Sequence, residues 1–416
     1  MFQDVFKLRQ KLLIEQLTNN FNASSGLILL FSGFELDCRY PFRPENNFFY
    51  LTGVSEPGVV AVIDLQGRCD FLQPSFTVNR AVWESKSPAA ACLATAKPLG
   101  QKIAGYELKP VFSCEAVENL LIMFAQATAT GAQIFTCQTN SDGGMSGLSA
   151  GWFFTRIKTM LSAGANFVDA SEVVTGLRRI KDTSEVQKTT IAVNACIAAQ
   201  QLVARKITPG VTENYLKHQL QAEFDAQNSG SLAFRSIVAS GKNSTILHAT
   251  PSNKILQIND LVVVDIGCEF AGYSSDLTRT FPVGRKFSAR QKELYNLVLE
   301  AQKLAETTAK TNVFLRGTKD SLHALVVNFF AGHGLQQYFP HGLGHYLGLD
   351  VHDVGSYQKP LEPGCIFTIE PGLYLPEENI GIRIEDNYLM TPEGALKLSQ
   401  NLVSETELIE ELMHEK

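Results

Sequence analysis

Several things are scarce in this 416-residue chain. It has no basic stripe: 36 Lys and Arg are scattered among 42 Asp and Glu, for a net charge of −6. That balance argues against nucleic acid and anionic membrane as partners. Near its start there is no apolar run of signal-peptide length; the first, residues 26–31, has six residues and suits a buried strand rather than a membrane span. Serine and arginine are too sparse there for a transit peptide, so a cytoplasmic protein is expected. The eight cysteines, at 38, 69, 92, 114, 137, 196, 268 and 365, form no Cys-x-x-Cys pair and no dense framework. They read as free, small hydrophobes of a reducing compartment, Cys268 and Cys365 included. No internal repeat is visible.

What is present is enough apolar sequence, 45%, and enough length for about two domains. From about residue 26 to 170, short strands such as 26–31 and 58–64 mix with alanine-rich helical stretches such as 90–96, which implies an α/β domain. Residues 138–147, polar and glycine-rich, read as a loop. A boundary falls near 171–181. Asp182 and Glu185 then form a capping box that opens a long helix to about Ile207, stopped by Thr208-Pro-Gly. Helices near 213–227 and 289–311 alternate with strands. The second part reads as α+β, with helices covering one face of a curved antiparallel sheet.

Those strands carry an unusual load of acid. Residues 261–282 read as a hairpin turning between Phe270 and Ala271, which would set Asp265 directly opposite Asp276, Cβ atoms about 5 Å apart. Two like charges at that distance repel by roughly 3 kcal/mol at an effective dielectric near 20. Residues 365–370 read as a buried strand ending in a Pro-Gly turn at Glu370. In residues 381–385, Ile382 and Ile384 face one way and Arg383 and Glu385 the other, as an arginine orienting a ligand would. Of eight histidines, three lie in the stretch 339–353, at His341, His345 and His352. Glycines at 342, 344 and 348 argue against a helix here, so this is no His-Glu-x-x-His zinc helix. A fourth, His248, follows the turn-like 240–245.

The order of Asp265, Asp276 eleven later, His345 in His-Gly-x-Gly-His, Glu370 in Thr-Ile-Glu-Pro-Gly and Glu385 in Gly-Ile-Arg-Ile-Glu resembles the pita-bread metallopeptidases. Among these it is most similar to aminopeptidase P, with prolidase the nearest relative, and residues 40–53 resemble a segment of that family's N-terminal domain. The resemblance implies an α/β domain of the creatinase and aminopeptidase P N-terminal type over 1–172. It implies a pita-bread catalytic domain over 176–416. Four carboxylates and an imidazole can hold two divalent ions about 3.5 Å apart with a bridging hydroxide. Manganese is what the resemblance implies, and cobalt, iron and zinc are chemically admissible.

The expected activity is that of an Xaa-Pro aminopeptidase, hydrolysing the bond between an N-terminal residue and a following proline. Hydroxide between the metals attacks the carbonyl, and Glu370 passes the proton to the leaving nitrogen. The family motif implies that His248 and His352 serve the oxyanion and substrate, His341 the proline side, and Arg383 the orientation of ligands. Asp353 is read as fixing the His352 tautomer. The family often carries an aromatic after the histidine at 248; here Ala249 stands there. Relatives also imply a homodimer or homotetramer. The alternatives are a prolidase restricted to Xaa-Pro dipeptides and a metal-free binding protein of the same fold; a methionine aminopeptidase typically lacks the large N-terminal domain.

Overall fold

The computed structural model describes residues 2–33, 42–74, 97–99, 131–137, 151, 153–155, 157–158, 166–226 and 231–415. The helical stretch 90–96, the loop 138–147 and residues 40–41 of the family segment lie outside them. The chain divides into two compact units, 1–178 and 179–416.

The first unit is built on a mixed six-stranded sheet. Its strands are β1 (Gly26–Phe31), β2 (Val60–Asp64), β3 (Cys69–Pro74), β4 (Lys97–Leu99), β5 (Gln133–Thr136) and β6 (Asn166–Asp169), in the order β4-β3-β2-β1-β5-β6. The apolar run of β1 pairs antiparallel with β2 and parallel with β5, which places it at the centre of the sheet with both faces covered. A helix, Phe2–Phe21, precedes it. From that helix Arg9 and Gln10 donate to the carbonyls of Tyr50 and Leu51 at 3.0 and 2.8 Å, clasping the short helix Asn46–Thr52. The stretch 171–181 is itself largely helical, Ser171–Arg179.

In the second unit the Asp182 side chain accepts from the amides of Ser184 and Glu185 at 2.8 and 3.0 Å, while Glu185 accepts from the Asp182 amide at 2.9 Å. This reciprocal cap opens the helix Thr183–Lys206, and Thr208-Pro-Gly follows its C-cap at Ile207. The helices Glu213–Ala226, Ala289–Thr308, Leu322–Gly332 and Thr406–His414 complete the layer, and one continuous core runs between helices and strands.

The strands are β7 (Ser231–Leu232), β8 (Ile237–Ser240), β9 (Leu261–Ile266), β10 (Cys268–Phe270), β11 (Tyr273–Ser274), β12 (Leu277–Pro282), β13 (Ile366–Ile369), β14 (Gly372–Leu375), β15 (Ile380–Arg383), β16 (Asp386–Thr391) and β17 (Gly394–Lys397). Their pairings are antiparallel. The β10–β11 hairpin corrects the expected register. Phe270 pairs with Tyr273, so the loop is Ala271-Gly272, both left-handed at φ 49° and 86°, as a two-residue turn of right-handed twist requires. Asp265 therefore faces Thr278, and Asp276 lies diagonally, two residues along the same face.

The Pro371-Gly372 turn is also corrected. Ile369 pairs with Asp386 and Gly372 with Arg383, and the Ile384 amide donates to the Pro371 carbonyl at 3.2 Å. The register is thus unbroken through the proline, whose missing N–H removes one bond from the ladder without ending it or reversing the chain. It follows that Glu370 stands opposite Glu385.

Candidate metal centre

A pair of residues facing each other across an antiparallel ladder shares a face, as do residues two apart on one strand. Bridges extend that rule over the whole acidic face: Glu385 pairs with Thr278, and Tyr346 with Phe367 at the free edge of β13. The Glu370 amide donates to Leu343 O at 2.8 Å and that of Glu385 to Thr278 O at 3.1 Å. Each glutamate's backbone therefore locks a different ligand-bearing segment in place. One row across the face reads Asp265, Thr278, Glu385, Glu370. The next reads Asp276, Asn387, Thr368, His345, tied by Thr368 N–H to His345 O at 2.9 Å and Asp276 N–H to Asn387 Oδ1 at 3.1 Å. Arg383 belongs to a third. Gly344 must be glycine: a Cβ there would lie 2.0 Å from the Thr368 carbonyl.

The side chains converge. His345 Nδ1 donates to the Tyr346 carbonyl at 3.0 Å, and Nε2 faces carboxylates: Asp276 and Glu370 at 3.5 Å, Glu385 at 3.9 Å. An imidazole nitrogen set among carboxylates can ligate a cation held between them. Ligand atoms about 2.1 Å from a common ion are about 3.4 Å apart in a tetrahedron, close to these separations. One ligand atom each from Asp276, His345 and Glu385 falls within 4.8 Å of the others.

Three carboxylate oxygens, Asp265 Oδ1, Asp276 Oδ1 and Glu385 Oε1, are buried without a hydrogen-bond partner. Orphaned buried acceptors are costly, and three on one face of a sheet demand a positive counterpart. Burial, then the charges of Asp265 and Glu370, holds the Asp276 carboxyl well above the usual range; burial, then Asp276 and Glu370, does the same for Glu385. The donor set, hard oxygens with one imidazole, fits divalent ions.

Arg383 is bonded on three sides: Nη2 to Asp265 Oδ2 at 2.6 Å, Nε to Thr278 Oγ1 at 3.2 Å and Nη1 to the Tyr374 hydroxyl at 2.8 Å. The Tyr374 hydroxyl, pushed up to about 12 by burial against the opposing pull of Arg383, also meets His341 Nε2 at 3.0 Å. His341 Nδ1 lies 3.8 Å from Glu370, and burial lowers the imidazole's pKa. His352 packs edge-on against the His345 ring, centroids 4.3 Å apart. Asp353 Oδ2 is bonded by Lys181 at 2.9 Å, a buried ion pair that the sequence reading did not anticipate. His248 stands exposed after the short 3₁₀ turn Gly241–Thr245, and makes no hydrogen bond or ion pair among the described residues.

Sequence reasoning passed over Thr278, Thr368 and Tyr374. Thr278 donates to Glu385 at 2.8 Å, and Thr368 Oγ1 accepts from the His345 amide at 3.2 Å. The signal was available: Thr278 and Thr368 lie two residues from Asp276 and Glu370, on the same face by strand alternation.

The whole chain is similar to known proteins. The model of metallopeptidase family M24 matches residues 187–392, and that of the aminopeptidase P N-terminal domain matches 6–94. The chain is 30% identical to the Xaa-Pro aminopeptidase of Escherichia coli, covering 98% of this chain and 97% of that one. Over 58% of this chain and 68% of the relative it is 36% identical to the Xaa-Pro dipeptidase of Pyrococcus horikoshii. Proline aminopeptidase P II of Yersinia pestis superposes with a TM-score of 0.82 at 26% identity, covering 99% of both chains.

Proposed function

The chain belongs to metallopeptidase family M24, as an aminopeptidase P-like member with the pita-bread fold, and on that premise we propose that it removes an N-terminal residue from peptides whose second residue is proline. The observation that carries this reading is the set of orphaned oxygens on Asp265, Asp276 and Glu385 on the face that His345 Nε2 joins. Two divalent ions held there by these residues and Glu370, manganese by resemblance, would supply ionised water at neutral pH and polarise the scissile carbonyl.

The chain's own groups supply the rest. The Glu370 carboxylate is the most exposed of the four, at 17%, so it is the one placed to take a proton and pass it to substrate. The leaving nitrogen of an Xaa-Pro bond has no N–H and needs that proton. His341, edge-on to Phe339 with centroids 4.9 Å apart, offers an apolar wall suited to a proline ring. Arg383 fixes Asp265, and His248 and His352, both at the protein surface, are the groups proposed to meet substrate oxygen. Residues 176–416 hold this machinery, with 1–172 as the N-terminal domain.

The likeness to a dipeptidase supports a second reading, a prolidase on the same site. Homodimers or homotetramers and a cytoplasmic location are part of the proposal; the described cysteines are all free, as a reducing compartment would keep them. Among the described residues no helix is long and apolar enough to cross a membrane. The test is turnover of two-, three- and nine-residue Xaa-Pro peptides after chelation and again after manganese is restored. Metal-dependent cleavage of the longer peptides is expected. Cleavage of the dipeptide alone would make the chain a prolidase, and inert reconstituted protein would leave only a binding role.

A further inference from the structure

Glu213 opens the helix Glu213–Ala226 and is fully buried, with its carboxylate surrounded by neutral donors. Oε1 accepts from the Ser240 amide and hydroxyl at 2.8 and 2.9 Å and from Asn243 Nδ2 at 3.0 Å. Oε2 accepts from the Ser252 amide and hydroxyl at 3.1 and 2.7 Å. The donors come from the two ends of one segment, residues 240–252, and His248 lies within it. Backbone bonds reinforce the far end: the Glu213 amide donates to Lys254 O at 3.2 Å and that of Asn214 to Ser252 O at 3.0 Å. In the middle, Ser244 Oγ accepts from the Gly381 amide at 2.8 Å, and a Cβ on Gly381 would lie 1.9 Å from the Ser244 carbonyl. The segment is thereby seated on β15, the strand of Arg383.

His248 makes no hydrogen bond or ion pair among the described residues, so no polar side-chain contact anchors the ring and its place follows the course of the 240–252 backbone. A carboxylate taken fully out of water is costly unless its lone pairs are filled, and charge-assisted bonds from both ends of one loop fill them here. We infer that Glu213 is a positioning residue for His248, closing the 240–252 segment so that this imidazole is presented to substrate without a side-chain partner of its own. The inference rests on the Xaa-Pro aminopeptidase reading only for its kinetic consequence. Its structural part, a loop held by one carboxylate, stands apart from it.

The test is a double-mutant cycle of Glu213→Gln and His248→Ala in the metal-loaded protein, with cleavage of an Xaa-Pro tripeptide and amide hydrogen exchange over residues 241–251 as readouts. Glu213→Gln is expected to lower kcat about tenfold or more in the parent and to have little further effect once His248 is alanine. Exchange within 241–251 should quicken, while the bound metal is unchanged. Ser252→Ala, which removes one hydroxyl and leaves the charge bonded, should move both readouts the same way by less, and it carries the test if the glutamine variant does not fold. An equal kinetic loss in both backgrounds, or unchanged exchange in 241–251, overturns the inference. Absence of turnover in the parent would instead overturn the activity, with the exchange readout still deciding the role of Glu213.

Discussion

The Arg383 guanidinium lies 2.6 Å from the Asp265 carboxylate, and both side chains are at least nine-tenths buried. No other cation is bonded to that carboxylate among the described residues, and the same guanidinium also engages Tyr374 and Thr278. A planar fork can satisfy three partners at fixed angles; an ammonium, a point charge on a flexible stem, cannot. Asp265 is thus aimed as well as neutralised.

Replacing Arg383 by lysine is therefore expected to keep the charge and lose the aim. Metal affinity or kcat/KM should fall by about 10- to 100-fold, as when groups supporting a ligand are removed elsewhere. Titration with manganese and steady-state kinetics check it; a lysine variant of undiminished affinity and activity would show that only the charge matters.

Metal removal should change how stability depends on pH. In the metal-free protein, burial and neighbouring carboxylates hold Asp276 and Glu385 well above their ordinary values of 3.8 and 4.5. From about pH 4 upward the folded state then retains protons that the unfolded chain has released. Because it binds more protons, its unfolding free energy falls as pH rises through this window, until the folded groups themselves ionise. Chelated protein is expected to melt lower at about pH 8 than at about pH 5, and added manganese to stabilise more at the higher pH, where fewer protons must be displaced. A melting temperature of chelated protein that holds or rises across that range would contradict the assignment.

The buried pair of Lys181 and Asp353, each side chain 1% exposed, predicts an asymmetric mutational response. Lys181→Met leaves a carboxylate buried beside His352 without its cation and should cost about 3–5 kcal/mol. Adding Asp353→Leu should recover most of that loss, because neither charge is then left unpaired. Urea unfolding midpoints measure both, and a double variant no more stable than the single one would place the effect elsewhere.

Much of the site was legible because the strand period alone sorts a face. Arg383 and Glu385, two apart, fall on one side of a strand, Asp265 and Asp276 share a face across any hairpin whose loop has an even number of residues, and four acids among apolar neighbours have few soluble explanations. The exact pairing was less accessible. It depends on Ala271 adopting a left-handed turn, which alanine does not advertise, and on Pro371 lying within a continuous ladder instead of ending it. The opposition of Glu370 and Glu385 followed only from coordinates. The capping box at Asp182 was readable because it is local. The Glu213 and Lys181 contacts were not, since their partners lie 27–39 and 172 residues away.

The most direct test of the central claim is anomalous diffraction from crystals of this protein soaked in manganese. Two peaks about 3.5 Å apart, among Asp265, Asp276, His345, Glu370 and Glu385, are predicted. The absence of any peak there, or peaks only at other surfaces, would contradict the claim that divalent cations hold these acids together.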